Sequence, residues 1–154
     1  GRAGRGEKRG RVIIQTYSPE HPSVACAQRH DYWKFYEQEI QTLAEHGYPP
    51  IRHLINLLVR SKVEKKVYLF AKELRDQMGK QLDILRETTP LENIELVGPA
   101  PLPFYRLRGH YRWHVLVKAG EMASAQALTR QTLRAMKRPS GVALQVDVNP
   151  LNIL

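Results

Sequence analysis

Two hydrophobic rhythms stand back to back between His53 and Leu85, and together they limit the folds open to this chain. Leu54-Ile55-Asn56-Leu57-Leu58-Val59 is short and almost wholly apolar, which reads as a buried strand. Ser61-Lys62-Val63-Glu64 has the form of a capping box, where a hydroxyl and a carboxylate satisfy the free amides of a first helical turn. Val63, Val67, Phe70, Leu74, Met78, Leu82 and Leu85 follow at steps of three and four residues, one face of a helix. Lys65, Lys66, Lys72 and Arg75 fall among its outward positions and read as a solvated face.

The same pattern returns downstream. Leu91 to Val97 forms a second strand and His110 to Lys118 a third. Met122 to Met136 is a helix with Leu128 and Leu133 inward, closed by Pro139-Ser140-Gly141. Val142, Leu144, Val146 and Val148 alternate as a last strand. The order is strand, helix, strand, strand, helix, strand. Two such β-α-β units make an α+β, ferredoxin-like split β-α-β sandwich. Right-handed crossovers put both helices on one sheet face and leave the other open for a partner.

The first fifty residues have a different texture. Gly1-Arg-Ala-Gly-Arg-Gly-Glu-Lys-Arg-Gly-Arg11 reads as a flexible or turn-forming segment, or as a basic tail. It feeds a short strand, Val12 to Tyr17, with no partner nearby, so the chain reads as a piece of something longer. Ser18 to Pro22 is a turn. Asp31 is placed to cap a helix through Tyr32, Tyr36, Ile40 and Leu43, and Gly47 stops it before Tyr48-Pro49-Pro50.

The charge balance points to a polyanion: 24 Lys and Arg against 15 acids leave +9 over 154 residues. Nucleic acid, an anionic membrane surface and an acidic peptide all qualify. The absence of a membrane-length apolar run leaves membrane with least support. Cys26, the single cysteine, permits no internal disulfide or Cys-rich zinc site and fits a reducing cytosol. No nucleophile stands beside a base, and the six histidines lack ligand spacing, so neither an independent enzyme nor a metal site is expected.

Chemistry concentrates between Val97 and Ala119. A proline-rich corner (Pro99, Pro101, Pro103) leads into Arg106, Arg108, Arg112 and Lys118 with no acid among them, interleaved with Tyr105, Tyr111 and Trp113. Cations attract phosphate and flat rings stack on unpaired bases. Strand alternation puts His110, Arg112 and His114 on a wet face, and Tyr111, Trp113, Val115 and Val117 on a core face. That wet face is either a DNA-binding surface or simply solvated. Tyr105 is a candidate stacking ring, and Trp113 reads as core rather than platform.

Seven blocks carry a family resemblance: G-R-A-G-R-G-E-K, R-V-I-I-Q-T-Y-S-P-E-H-P, D-Y-W-K-F-Y-E-Q-E-I, Y-P-P, V-G-P-A-P-L-P, R-L-R-G-H-Y-R-W-H-V-L-V-K-A and V-D-V-N-P. In this order they resemble the carboxy-terminal portion of the PriA family of bacterial replication-restart helicases. The resemblance implies that residues 1–25 finish a second helicase lobe, 26–50 form a linking helix and boundary, and 51–154 a domain similar to ribosomal protein S10. Arg5 would match the arginine finger of the last helicase motif and Arg2 its companion, both reaching nucleotide only in an intact helicase. No phosphate-binding loop is present, so ATP with magnesium and structural zinc are implied for the parent protein, an ATP-driven 3′–5′ helicase, and not for this stretch. The implied partners are branched or forked DNA and single-stranded DNA, other primosome proteins, and the acidic tail of single-strand-binding protein. Gln126 and Arg130, with Arg134, are the nearest candidates for holding that tail. The implied location is cytoplasmic, at the nucleoid. Ile51 and Arg52-His53 depart from the usual residues of the family.

Overall fold

The structure is a computed structural model that describes residues 10–88 and 93–151. Helices α1 (Pro22–Arg29) and α2 (Tyr32–His46) precede β1 (His53–Ser61), α3 (Glu64–Thr88), β2 (Glu95–Leu107), β3 (His110–Ala119), α4 (Met122–Ala135) and β4 (Val142–Val148). The chain divides into two compact units at Thr42/Leu43.

In the first unit, residues 10–16 carry no helix or strand. The strand expected over Val12–Tyr17 is therefore corrected: Val12, Ile13 and Tyr17 are exposed, with no neighbouring strand among the described residues to take up their backbone groups. Helix α1 went unread in the sequence. Pro22 sits at its first position, where no amide is needed, and the His21 ring accepts from the Ser23 amide as cap. Asp31 caps α2 as its sequence position implies, accepting from the Lys34 amide at 3.1 Å. Cys26 is buried against Gln38, its Sγ 4.0 Å from Oε1.

In the second unit, α2 ends at Gly47 in paired bonds from the Gly47 and Tyr48 amides to the Ala44 and Leu43 carbonyls. The four strands form one antiparallel sheet in the order β2-β3-β1-β4. This is the split β-α-β arrangement. Ile55, Leu57 and Val59 of β1 and Val115 and Val117 of β3 share a core with Val67, Phe70, Leu74 and Met78 of α3 and Leu128 of α4. At about 25 cal/mol per Å² of apolar area, that shared face is the main stabilising contact of the unit.

Three details depart from expectation. The Ser61 hydroxyl accepts from the Val63 amide at 3.2 Å and Glu64 accepts from Tyr105, so no reciprocal capping box forms. Strand β2 runs straight through Pro99, Pro101 and Pro103 rather than ending at them. It is an edge strand, where missing donors are tolerated, and its register shifts between Val97 and Ala100 and again between Pro101 and Arg106. Gly98 permits the first shift: a Cβ there would stand 2.8 Å from the His114 carbonyl oxygen.

Candidate nucleic-acid interface

The sheet face turned away from α3 and α4 is built from alternate residues of β1 and β3 in register. Leu54 faces Lys118, Asn56 faces Leu116, Leu58 faces His114, and Arg60 faces Arg112. Its two ends differ.

At the Leu54 end the face is covered. Leu54 and Leu116 are buried. The Lys118 ammonium donates to the His46 carbonyl at 2.8 Å and lies 4.4 Å from the centroid of the Tyr48 ring. Arg52 pairs with Glu95 at 3.3 Å and donates to the Asn93 and Lys118 carbonyls. Asn149 closes the strand end, its amide bonding the Leu54 carbonyl and its side chain accepting from the Leu54 amide. Two sequence expectations are corrected here. This face is not open along its whole length, and Lys118, only 8% exposed, does not stand among the solvent-facing cations.

At the other end lies a concavity of about 400 Å³. Arg60, Arg108, Arg112 and His110 line it together with Asn56, Gln145 and Asp147. Arg108 and Gly109 form the two-residue β2–β3 turn with φ of 49° and 76°, both left-handed, as a type I′ hairpin requires. That turn holds Arg108 at the rim, and its carbonyl meets the His110 ring Nδ1 at 3.1 Å. Arg60 and Arg108 have no ion pair among the described residues. Arg60 and Arg112 oppose each other directly, a like-charge cross-strand pair that an anion between them would relieve.

Deeper in, Asn56 is 6% exposed and its Oδ1 has no hydrogen-bond partner. His114 Nδ1 is likewise buried and unpartnered, and burial holds this imidazole below its ordinary pKa.

The expected cluster is thus divided. Arg108 and Arg112 join the concavity. Arg106 lies 5.2 Å from the Tyr111 ring centroid, and Tyr105 meets the same ring edge-on at 5.3 Å. Tyr111 packs on the helix-covered side, so Tyr105 and Arg106 belong there. The Tyr105 hydroxyl donates to Glu64, and that bond pushes its pKa up to about 12. With one ring edge on Tyr111 and its hydroxyl bonded, Tyr105 is held as a brace rather than presented as a stacking platform. Trp113 packs against Tyr68 and the core, as read. His110 lines the concavity, on the wet face where alternation put it, whereas sequence reasoning missed Arg60, Asn56, Gln145 and Asp147 as site residues. Alternation within His53–Ser61 carried the signal for Arg60, but only its register with Arg112 brings it into the site.

Gln126, Arg130 and Arg134 are exposed at four-residue spacing on α4, away from its buried Ala125, Leu128, Thr129 and Thr132. They lie on the helix side of the sheet and not in the concavity. Arg2 and Arg5 lie outside the described residues. Among the described residues no group of three His, Cys, Asp or Glu side chains could hold a metal ion, and no helix is long and apolar enough to cross a membrane.

Comparison with known proteins places this architecture. The chain is 35% identical over 154 residues to the replication restart protein PriA of Treponema pallidum, covering all of this chain and 22% of that protein. It is 35% identical to PriA of Synechocystis over 99% of this chain and 17% of the relative, and 31% identical to PriA of Bacillus subtilis over 97% and 18%. The chain therefore spans about a fifth of the length of these relatives. The model of the primosomal protein N C-terminal domain matches residues 44–151, which include every strand of the sheet and the whole concavity, and the chain belongs to that family.

Proposed function

We propose that this chain is the DNA-binding carboxy-terminal module of a replication-restart helicase, recognising branched or forked DNA through its backbone and shape. The observation that carries the reading is the concave, arginine-lined end of the sheet, where Arg60, Arg108 and Arg112 converge and the first two form no ion pair among the described residues. Guanidinium groups held by strands bind phosphate bidentately and read no sequence by themselves. Unwinding, ATP with magnesium, and structural zinc are assigned to the longer protein, with residues 1–25 completing its second lobe. Its place is the cytoplasm, at the nucleoid.

The stripe of Gln126, Arg130 and Arg134 supports a second role, as a docking face for the acidic tail of single-strand-binding protein. Fluorescence anisotropy with forked, duplex and single-stranded DNA tests the first role. Tight, fork-preferring binding that weakens in Arg60→Ala, Arg108→Ala, Arg112→Ala supports it. Weak, equal binding to all three, with capture of an acidic tail peptide lost in Arg130→Ala, Arg134→Ala, would favour the second alone.

A further inference from the structure

The concavity is chemically two-ended, and DNA backbone binding uses only one end. Arg60, Arg108 and Arg112 supply cations at the hairpin side. On the β4 side, Asp147 pairs in register with Asn56, and Gln145 with Leu58, so two amides and a carboxylate gather on the same face. Buried Leu102 adds an apolar patch to the lining from the β2 edge of the sheet. A run of phosphates or of peptide carboxylates would find three favourable partners and then meet Asp147, which repels it. The unused Asn56 acceptor, nine-tenths buried at the floor, marks a place where a donor is wanted and none is provided by the protein.

Resting on the DNA-binding reading, we infer that the concavity seats one unpaired nucleotide, its phosphate on Arg60, Arg108 and Arg112 and its base edge on Asn56 and Asp147. A volume of about 400 Å³ lies in the range of small-ligand sites and accommodates one nucleotide. The acceptor-rich end selects bases that present amino and ring N–H donors. Guanine offers two adjacent donors to a carboxylate, whereas thymine offers one N–H between two carbonyls that Asp147 and Asn56 Oδ1 would repel. A fork junction supplies unpaired nucleotides where strands part, so a seat for one of them would register the junction itself.

The test titrates the full 154-residue chain with a short labelled strand of thymines and with the same strand carrying one guanine. The guanine strand should bind about tenfold tighter. Asp147→Asn should bring that preference below about twofold, while the thymine strand binds as well or better because a repelling carboxylate is gone. Asp147 is exposed, so this variant probes the site even if the buried Asn56→Leu fails to fold. Arg60→Ala should weaken both strands alike. Equal, salt-steep binding of the two strands, or a preference untouched by Asp147→Asn, overturns the nucleotide seat and leaves the DNA-binding reading standing. Binding of neither strand, nor of forked DNA, overturns both. An acidic peptide that competes DNA out of the concavity also overturns the seat.

Discussion

The two ends of the helix-free sheet face are made from the same pair of strands, yet one end is interior and the other is an open, arginine-lined concavity. At the Leu54 end, Arg52, His46 and Tyr48 fold over β1 and β3 and convert a lysine into a structural group. Three register steps along, at Arg60 and Arg112, side chains of the same facing reach the rim of a concavity. Strand alternation decides which face a residue occupies. Whether that face is wet depends on what the connections lay across it.

Substitutions at the two ends should therefore separate stability from binding. The largest effect is expected at the covered end. Lys118→Met removes a buried charged donor and leaves the His46 carbonyl without its ammonium, which should cost about 1.5–3 kcal/mol in denaturant unfolding. DNA affinity of the folded variant should stay within about twofold. At the open end, Arg60→Ala should change stability by no more than about 0.5 kcal/mol while weakening DNA binding. If both variants lose stability equally, the distinction between the ends fails.

A smaller effect with opposite signs is expected at the turn. Arg108 holds a left-handed conformation that costs a side chain roughly 1 kcal/mol and that asparagine tolerates better. Arg108→Asn should raise the unfolding free energy by about 0.5–1 kcal/mol and lower DNA affinity. A variant that is stabilised and binds DNA undiminished would remove Arg108 from the site.

The smallest effect concerns acid. The His114 pKa is lowered in the folded state because burial disfavours the charged ring. The neutral form suits the fold, so its contribution is complete above the ordinary value of 6.5 and is lost as pH falls through the lowered folded value. Unfolding midpoints measured across that window should fall less in His114→Gln than in the wild-type chain. Identical pH profiles would contradict this.

Much of the fold was legible because local and global signals agree. The period change from Leu54–Val59 to Val63–Leu85, the Asp31 cap and the Gly47 stop each match the structure. Local patterns are less informative where tertiary context overrides local rules. Three prolines read as a corner but run within β2, since an edge strand can do without their donors. Helix α1 has little apolar periodicity and is marked only by Pro22 and its His21 cap. Of the candidate site, Arg108 and Arg112 were found by composition. Arg106 and Tyr105, which share that composition, were diverted by Tyr111 and Glu64. Arg60, Asn56 and Asp147 join only through strand register, which a single stretch of sequence does not display.

The most direct measurement compares the salt dependence of DNA affinity for the wild-type chain with two variants on opposite sides of the sheet. One carries Arg60→Ala, Arg108→Ala and Arg112→Ala, the other Arg130→Ala and Arg134→Ala. Each lost phosphate contact flattens the log–log slope by about 0.9 on duplex or about 0.7 on single strands. The account predicts a slope shallower by roughly 2–3 for the concavity variant and nearly unchanged for the helix variant. A slope that flattens only in the helix variant would place the DNA on the other side of the sheet and contradict the account.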